Sequence, residues 1–156
     1  YAIGRLVLWS SALAAHHPQR VQDLADPAYA KIAIANPKTA PYGLAAEQAF
    51  ARAGIAPRIA PRIVQAENIG QALQFAQSRN ADVCLTALSL VIEDKTDPYV
   101  IVPDSLHDPI TQSLGLVRTT TQTTQALEFI DFLTGQDSAK IWKRYGYTLP
   151  KPPKTR

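Results

Sequence analysis

Ile32-Ala33-Ile34-Ala35-Asn36-Pro37-Lys38-Thr39-Ala40-Pro41-Tyr42-Gly43-Leu44-Ala45-Ala46-Glu47 is the stretch from which the fold is read. A short β-prone run breaks into a Pro-punctuated loop, and the loop opens onto an alanine-rich helix. The first backbone N–H groups of a helix have no partner within it, and the helix dipole adds partial positive charge there. A strand–loop–helix unit of this kind therefore offers a small anion a site that needs no charged side chain.

Outward from this unit the same pattern recurs. Residues 1–11 read as a strand that is apolar on both faces, hence central or crossing. The segment 12–22 reads as a loop, and Asp23 to Pro27 as a turn before a strand over 31–35. A helix is predicted over 43–52, with Leu44, Ala45, Ala49 and Phe50 as its apolar stripe and Gly54 as its stop. Pro57 and Pro61 bracket a connector to a strand over 62–66. Asn68 or Glu67 opens a helix to about Ser78, on which Ile69, Ala72, Leu73 and Ala76 follow the i, i+3, i+4, i+7 template. A buried strand over 81–87, a short helix over 88–92 and a strand over 99–102 follow. Ile110 to Arg118 reads as a long strand. Two helices close the chain, one capped by Thr123 or Thr124 and stopped at Gly135, the other capped by Asp137 or Ser138 and stopped at Gly146. The run Leu149-Pro150-Lys151-Pro152-Pro153 cannot extend a helix and reads as a loose tail. Strands alternating with helices indicate an α/β fold with a mostly parallel sheet flanked by helices. Ligands in such folds sit beyond the carboxyl ends of strands. Two loops answer that description, Asn36 to Gly43 and Ala66 to Gly70.

The 156 residues suit one domain or slightly more, with 46% apolar and 19% charged residues. No apolar run approaches the ~20 residues that span a bilayer. A net charge of +3 is too small to argue for nucleic acid. Lys140, Lys143, Arg144, Lys151, Lys154 and Arg156 cluster where cations suit a helix C-terminus. Cys84 is the single cysteine, so there is no internal disulfide and no cysteine metal site; its apolar neighbours make it a buried thiol. That usage fits the cytosol and the periplasm alike. The chain has no methionine and opens inside a strand-like segment, which suggests a fragment or processed piece without a signal peptide.

Groups suggestive of catalysis or metal binding are sparse. His16-His17 before Pro18 lacks helical spacing and acidic companions, so it reads as a solvated loop. His107-Asp108 hints at an acid–base pair, yet no nucleophile motif accompanies it. The run from Thr119 to Thr124 reads as a capping and turn region. No Gly-rich phosphate loop or nucleophile elbow is present.

The segments Tyr-Ala-Ile-Gly-Arg-Leu-Val-Leu-Trp-Ser from residue 1, Ile-Ala-Asn-Pro-Lys-Thr-Ala-Pro-Tyr-Gly-Leu-Ala-Ala from residue 34 and Val-Gln-Ala-Glu-Asn-Ile-Gly-Gln-Ala from residue 64 together resemble the periplasmic molybdate-binding proteins of ABC importers. The likeness extends to Asp108-Pro109-Ile110 and Arg144-Tyr145-Gly146-Tyr147, and it covers nearly the whole chain in order. It implies a type II periplasmic-binding-protein-like fold, two lobes joined by crossing strands, with molybdate or tungstate in the cleft. On that basis 1–11 is a crossing strand, 12–108 a complete second lobe carrying the anion loops, 109–120 the return strand, and 121–156 helices of a partial first lobe. The resemblance places ligand contacts at Tyr42 and Ile69, with Gly43 and Asn68 beside them and Ala87 near a position that some relatives fill with a tyrosine. It implies no cofactor, no catalytic residue and no metal beyond that of the oxyanion. The implied partners are a membrane ABC permease and, for the rest of the first lobe, an N-terminal segment or a second copy of the chain; the implied location is the periplasm. Two other readings stand beside it. One is the oxyanion-sensing effector domain of a transcriptional regulator. The other is a small α/β enzyme on an anionic substrate, using His107 or Asp108.

Overall fold

The computed structural model describes residues 1–150. Its opening apolar run divides at Arg5 into two strands that belong to different sheets, β1 (Ala2–Gly4) and β2 (Leu6–Trp9). Then follow β3 (Ile32–Ala35), helix α1 (Pro41–Arg52), the single turn α2 (Ala56–Ile59), β4 (Ile63–Ala66), α3 (Ile69–Gln77) and β5 (Val83–Ala87). The chain continues through β6 (Tyr99–Ile101) and β7 (Ile110–Gln112) to α4 (Thr123–Thr134) and α5 (Gln136–Arg144). The closing Lys151-Pro152-Pro153, with Lys154 and Arg156, lies outside the described residues.

The larger sheet has the order β4-β3-β5-β2-β6. β3 runs parallel to β4 and to β5, whereas β2 is antiparallel to both β5 and β6. Four strands thus share one direction and β2 opposes them, so the sheet is mixed. β1 pairs antiparallel with β7, Gly4 opposite Ile110, and Ile3 exchanges backbone bonds with Thr148 at 2.7 and 3.0 Å.

Strand alternation divides the core between the two sheet faces. Leu6, Leu8, Ile32, Ile34 and Leu85 pack with Ala45, Ala46, Ala49 and Phe50 of α1. Val7, Trp9, Ala33 and Cys84 pack with Ala72, Leu73 and Ala76 of α3. Both faces are therefore covered, which is why the central strands read as continuous apolar runs.

Several expectations need correction. α1 begins at Pro41, where a proline's missing N–H costs nothing, and not at Gly43. It docks through Tyr42, Gly43, Ala45, Ala46, Ala49 and Phe50, leaving Leu44 exposed because that side chain points off the docked face. The strand at Ile110 ends at Gln112. Its ladder with β1 runs from Gly4 opposite Ile110 to Ala2 opposite Gln112. Gln122, not a threonine, occupies the α4 cap position, and Gly135 both ends α4 and precedes α5. Lys143 and Arg144 do lie in the last turn of α5, as a helix C-terminus favours. Among the described residues no residue of α4 is buried, and Leu127, Phe129, Phe132 and Ile141 are exposed.

Candidate functional site

The carboxyl ends of β3, β4 and β5 lie along one edge of the sheet, because these strands are parallel and adjacent. The loop after β3 is organised by Asn36. Its N–H reaches Ala66 O at 2.8 Å, which ties the loop to the end of β4, and its carbonyl accepts Thr39 N at 3.2 Å and Ala40 N at 2.9 Å. Its side-chain oxygen takes Lys38 N at 3.0 Å. The helix ladder starts with Leu44 N to Ala40 O at 3.0 Å. Among the described residues, the N–H groups of Tyr42 and Gly43 are left without an acceptor. Both residues are buried, and first-turn amides without an intrahelical partner are open to an acceptor from outside the helix.

The loop after β4 repeats the arrangement. Asn68 caps α3, its Oδ1 accepting Gln71 N at 2.9 Å, while Gln71 Oε1 reaches back to Glu67 N at 2.7 Å. That reciprocal pair satisfies two donors and leaves the Ile69 and Gly70 amides unspent among the described residues. Ile69 packs its side chain partly into the core, and its carbonyl accepts Thr86 Oγ1 at 3.1 Å, fastening α3 to β5. Ala87 ends β5 at the same edge; it is enclosed in the core and has only backbone to offer. Tyr42, Gly43, Asn68, Ile69 and Ala87 are thus brought to one edge. The charged residues of the two loops, Lys38 and Glu67, are exposed and opposite in sign.

Two glycines set the first turn of α1. A Cβ on Gly43 would overlap Ala35 O and lie 2.8 Å from Ala35 C and 2.9 Å from Asn36 C, so only glycine lets the helix press onto the end of β3. A Cβ on Gly4 would overlap the Tyr42 phenol oxygen and lie 2.8 Å from Cζ. Burial pushes the Tyr42 phenol well above its ordinary pKa, with the Tyr147 and Tyr1 phenols adding to the shift. The Gly4 contact is a feature that the sequence reading missed; glycine inside a strand is the signal that could have found it.

Elsewhere the structure separates what the sequence places together. His107 is buried with Nδ1 against Asp108 O at 2.8 Å, and its Nε2 has no partner among the described residues. The Asp108 carboxylate turns away to Arg52 and to Gln48 Nε2 at 2.9 Å. The two do not form an acid–base pair. His17 Nδ1 meets Ser10 Oγ at 3.0 Å, whereas His16 sits edge-on to Tyr29. Among the described residues no cluster of His, Cys, Asp and Glu could hold a metal ion.

An α/β lobe that gathers helix N-termini at the carboxyl edge of its sheet is a frame for holding a small ligand between loops. The chain belongs to the bacterial extracellular solute-binding protein family, whose sequence model matches residues 1–148. It is 36% identical over 150 residues to the molybdate-binding protein ModA of Rhodobacter capsulatus, covering 94% of this chain and 58% of that protein. Against ModA of Azotobacter vinelandii it is 36% identical over 156 residues, with 96% and 60% covered. The chain thus spans somewhat under two thirds of these relatives' lengths. The structure of the periplasmic molybdate-binding protein of Azotobacter vinelandii superposes with a TM-score of 0.89 at 33% identity, covering 97% of this chain and 67% of that one. The expected periplasmic-binding-protein-like α/β fold is the fold observed.

Proposed function

We propose that this chain holds a tetrahedral oxyanion, molybdate or tungstate, for uptake by a membrane ABC permease. The observation that carries the reading is the pair of helix N-termini with unspent amides, at Tyr42-Gly43 and Ile69-Gly70. Identity to the molybdate-binding proteins of two bacteria supports it. Amides at fixed positions suit a dianion whose oxygens all accept, and they penalise a ligand that presents its own O–H donor. The two helix dipoles add fixed positive partial charge without a countercharge to displace. In this reading Tyr42, Gly43 and Ile69 donate through their backbones and Asn68 orders the second loop. Ala87 lies alongside.

The lobes divide as the resemblance implies: 12–108 forms the second lobe, 1–11 and 109–120 cross between lobes, and 121–156 belongs to the first. The break at Arg5, where β1 leaves the large sheet, supports the crossing. The exposed Leu127, Phe129, Phe132 and Ile141 support a first lobe whose remaining part comes from an N-terminal segment or a second copy. Ligand binding shifts an open–closed equilibrium by its greater affinity for the closed form, which the permease then recognises in the periplasm.

Calorimetric titration with molybdate, tungstate and sulfate tests the reading, with and without the N-terminal segment that the resemblance implies. Binding of molybdate and tungstate in preference to sulfate is the expected result. No heat with molybdate in the extended protein defeats the proposal.

A further inference from the structure

Gly4 is unusual in its place. It lies within β1, paired with Ile110, is buried, and its φ is not positive. Glycine there is not required by the backbone, and inside a strand it is less favourable than alanine. What the position does require is the absence of a Cβ, because the Tyr42 phenol oxygen occupies that space. Tyr42 is the second residue of α1, and its amide is one of the unspent donors. Its ring belongs to the apolar core and neighbours the Tyr147 and Tyr1 phenols, so it has little room to swing aside. The next residue, Gly43, presses its backbone on Ala35. The first turn of α1 is therefore held at two points. Gly43 registers it against β3 in the large sheet, and Tyr42 registers it against β1 across the break at Arg5.

We propose that Gly4 is a positioning residue for the oxyanion site, its bare Cα seating the Tyr42 ring so that the first-turn amides of α1 are fixed relative to the crossing strand. The proposal rests on the reading of those amides as ligand donors. Added bulk at Gly4 lifts the ring, and the ring turns the first helical turn about its Gly43 contact, moving both amides. Residue 4 thus acts on the anion through Tyr42 without touching it.

The test is a double-mutant cycle of Gly4→Ala, Tyr42→Leu and the double variant. Each is titrated with sodium molybdate and, separately, melted without anion. Gly4→Ala is expected to weaken molybdate binding about tenfold, the loss of roughly one charge-assisted hydrogen bond, and to lower Tm. In the Tyr42→Leu background, where the far end of the ring is gone, Gly4→Ala is expected to leave affinity unchanged and to keep or slightly raise Tm. Wild-type affinity in Gly4→Ala overturns the proposal, as does the same loss with leucine at 42. The cycle is run in the protein extended by the N-terminal segment; failure of that wild-type protein to bind molybdate overturns both the functional reading and the anion role of Gly4, and the melting cycle then still decides whether Gly4 seats Tyr42.

Discussion

Gly43→Ala probes the site where helix and strand backbones meet. The added methyl would overlap Ala35 O and approach the carbonyl carbons of Ala35 and Asn36 to 2.8 and 2.9 Å. None of these is the free end of a side chain. Ala35 is paired with Ala66, and Asn36 N is bonded to Ala66 O at 2.8 Å, so the strand end cannot retreat and the helix must lift. Overpacking of this kind costs about 1–3 kcal/mol. Contacts this short against backbone put the cost at the upper end, about 2–3 kcal/mol; alanine's better helix propensity returns about 1 kcal/mol, which leaves a net loss of about 1–2 kcal/mol. At about 2–4 °C per kcal/mol for a chain of this size, Tm falls by several degrees. Oxyanion affinity falls further, because both first-turn amides move with the helix; one or two charge-assisted bonds correspond to about 10- to 100-fold or more. Scanning calorimetry and titration with molybdate read the two effects separately. A Gly43→Ala protein that melts at or above wild type refutes the close-approach argument.

Three further outcomes are expected. Asn68→Ala removes the α3 cap and costs about 1 kcal/mol, seen as a lower urea midpoint with an unchanged m-value. Asp108→Asn tests the link between α1 and the segment before β7. The Arg52 hydrogen bond and charge hold the Asp108 carboxyl below its usual range. A depressed folded pKa adds stability above the unfolded value that is lost as pH falls through the folded one. Urea midpoints of wild type should therefore drop more steeply than those of Asp108→Asn below about pH 4, and the difference should shrink in high salt because the pair is exposed. Cys84 is buried, and burial pushes its thiol far above the ordinary value. A chromogenic disulfide reagent should leave it unmodified in native protein and react fully in denaturant; rapid native reaction would contradict its place in the core.

Much of this architecture is legible along the chain because the signals are local. Asn68 reads as a cap and is one; Gly54 and Gly146 read as stops and both adopt positive φ. The alternation of apolar strands and helices fixes the parallel β3, β4 and β5, and with them the edge where the candidate loops meet. What escaped depends on partners remote in sequence. Ile110 to Arg118 has strand-like composition throughout, yet only three residues find a ladder. Leu44 fits an apolar stripe until the docking angle of α1 is set by Gly43. The reversed direction of β2 is invisible in its composition, since a strand buried on both faces reads alike in either direction. The Tyr42–Gly4 contact joins residues that no periodicity relates.

The reversal of β2 also has a consequence for how the chain acquires its fold. β2 is made before the strands that flank it: Leu6 pairs with Ala87, and Val7 with Ile101. The β3–β4–β5 unit, by contrast, is assembled from neighbours in sequence. During synthesis, Leu6-Val7-Leu8-Trp9 must stay unpaired until residues 84–87 have emerged, and it gains its second neighbour only with residues 99–101. Closing so long a loop carries an entropic cost that late contacts alone repay. The step that completes the sheet is thus expected to be the slow one, with an exposed apolar tetrapeptide as its aggregation hazard.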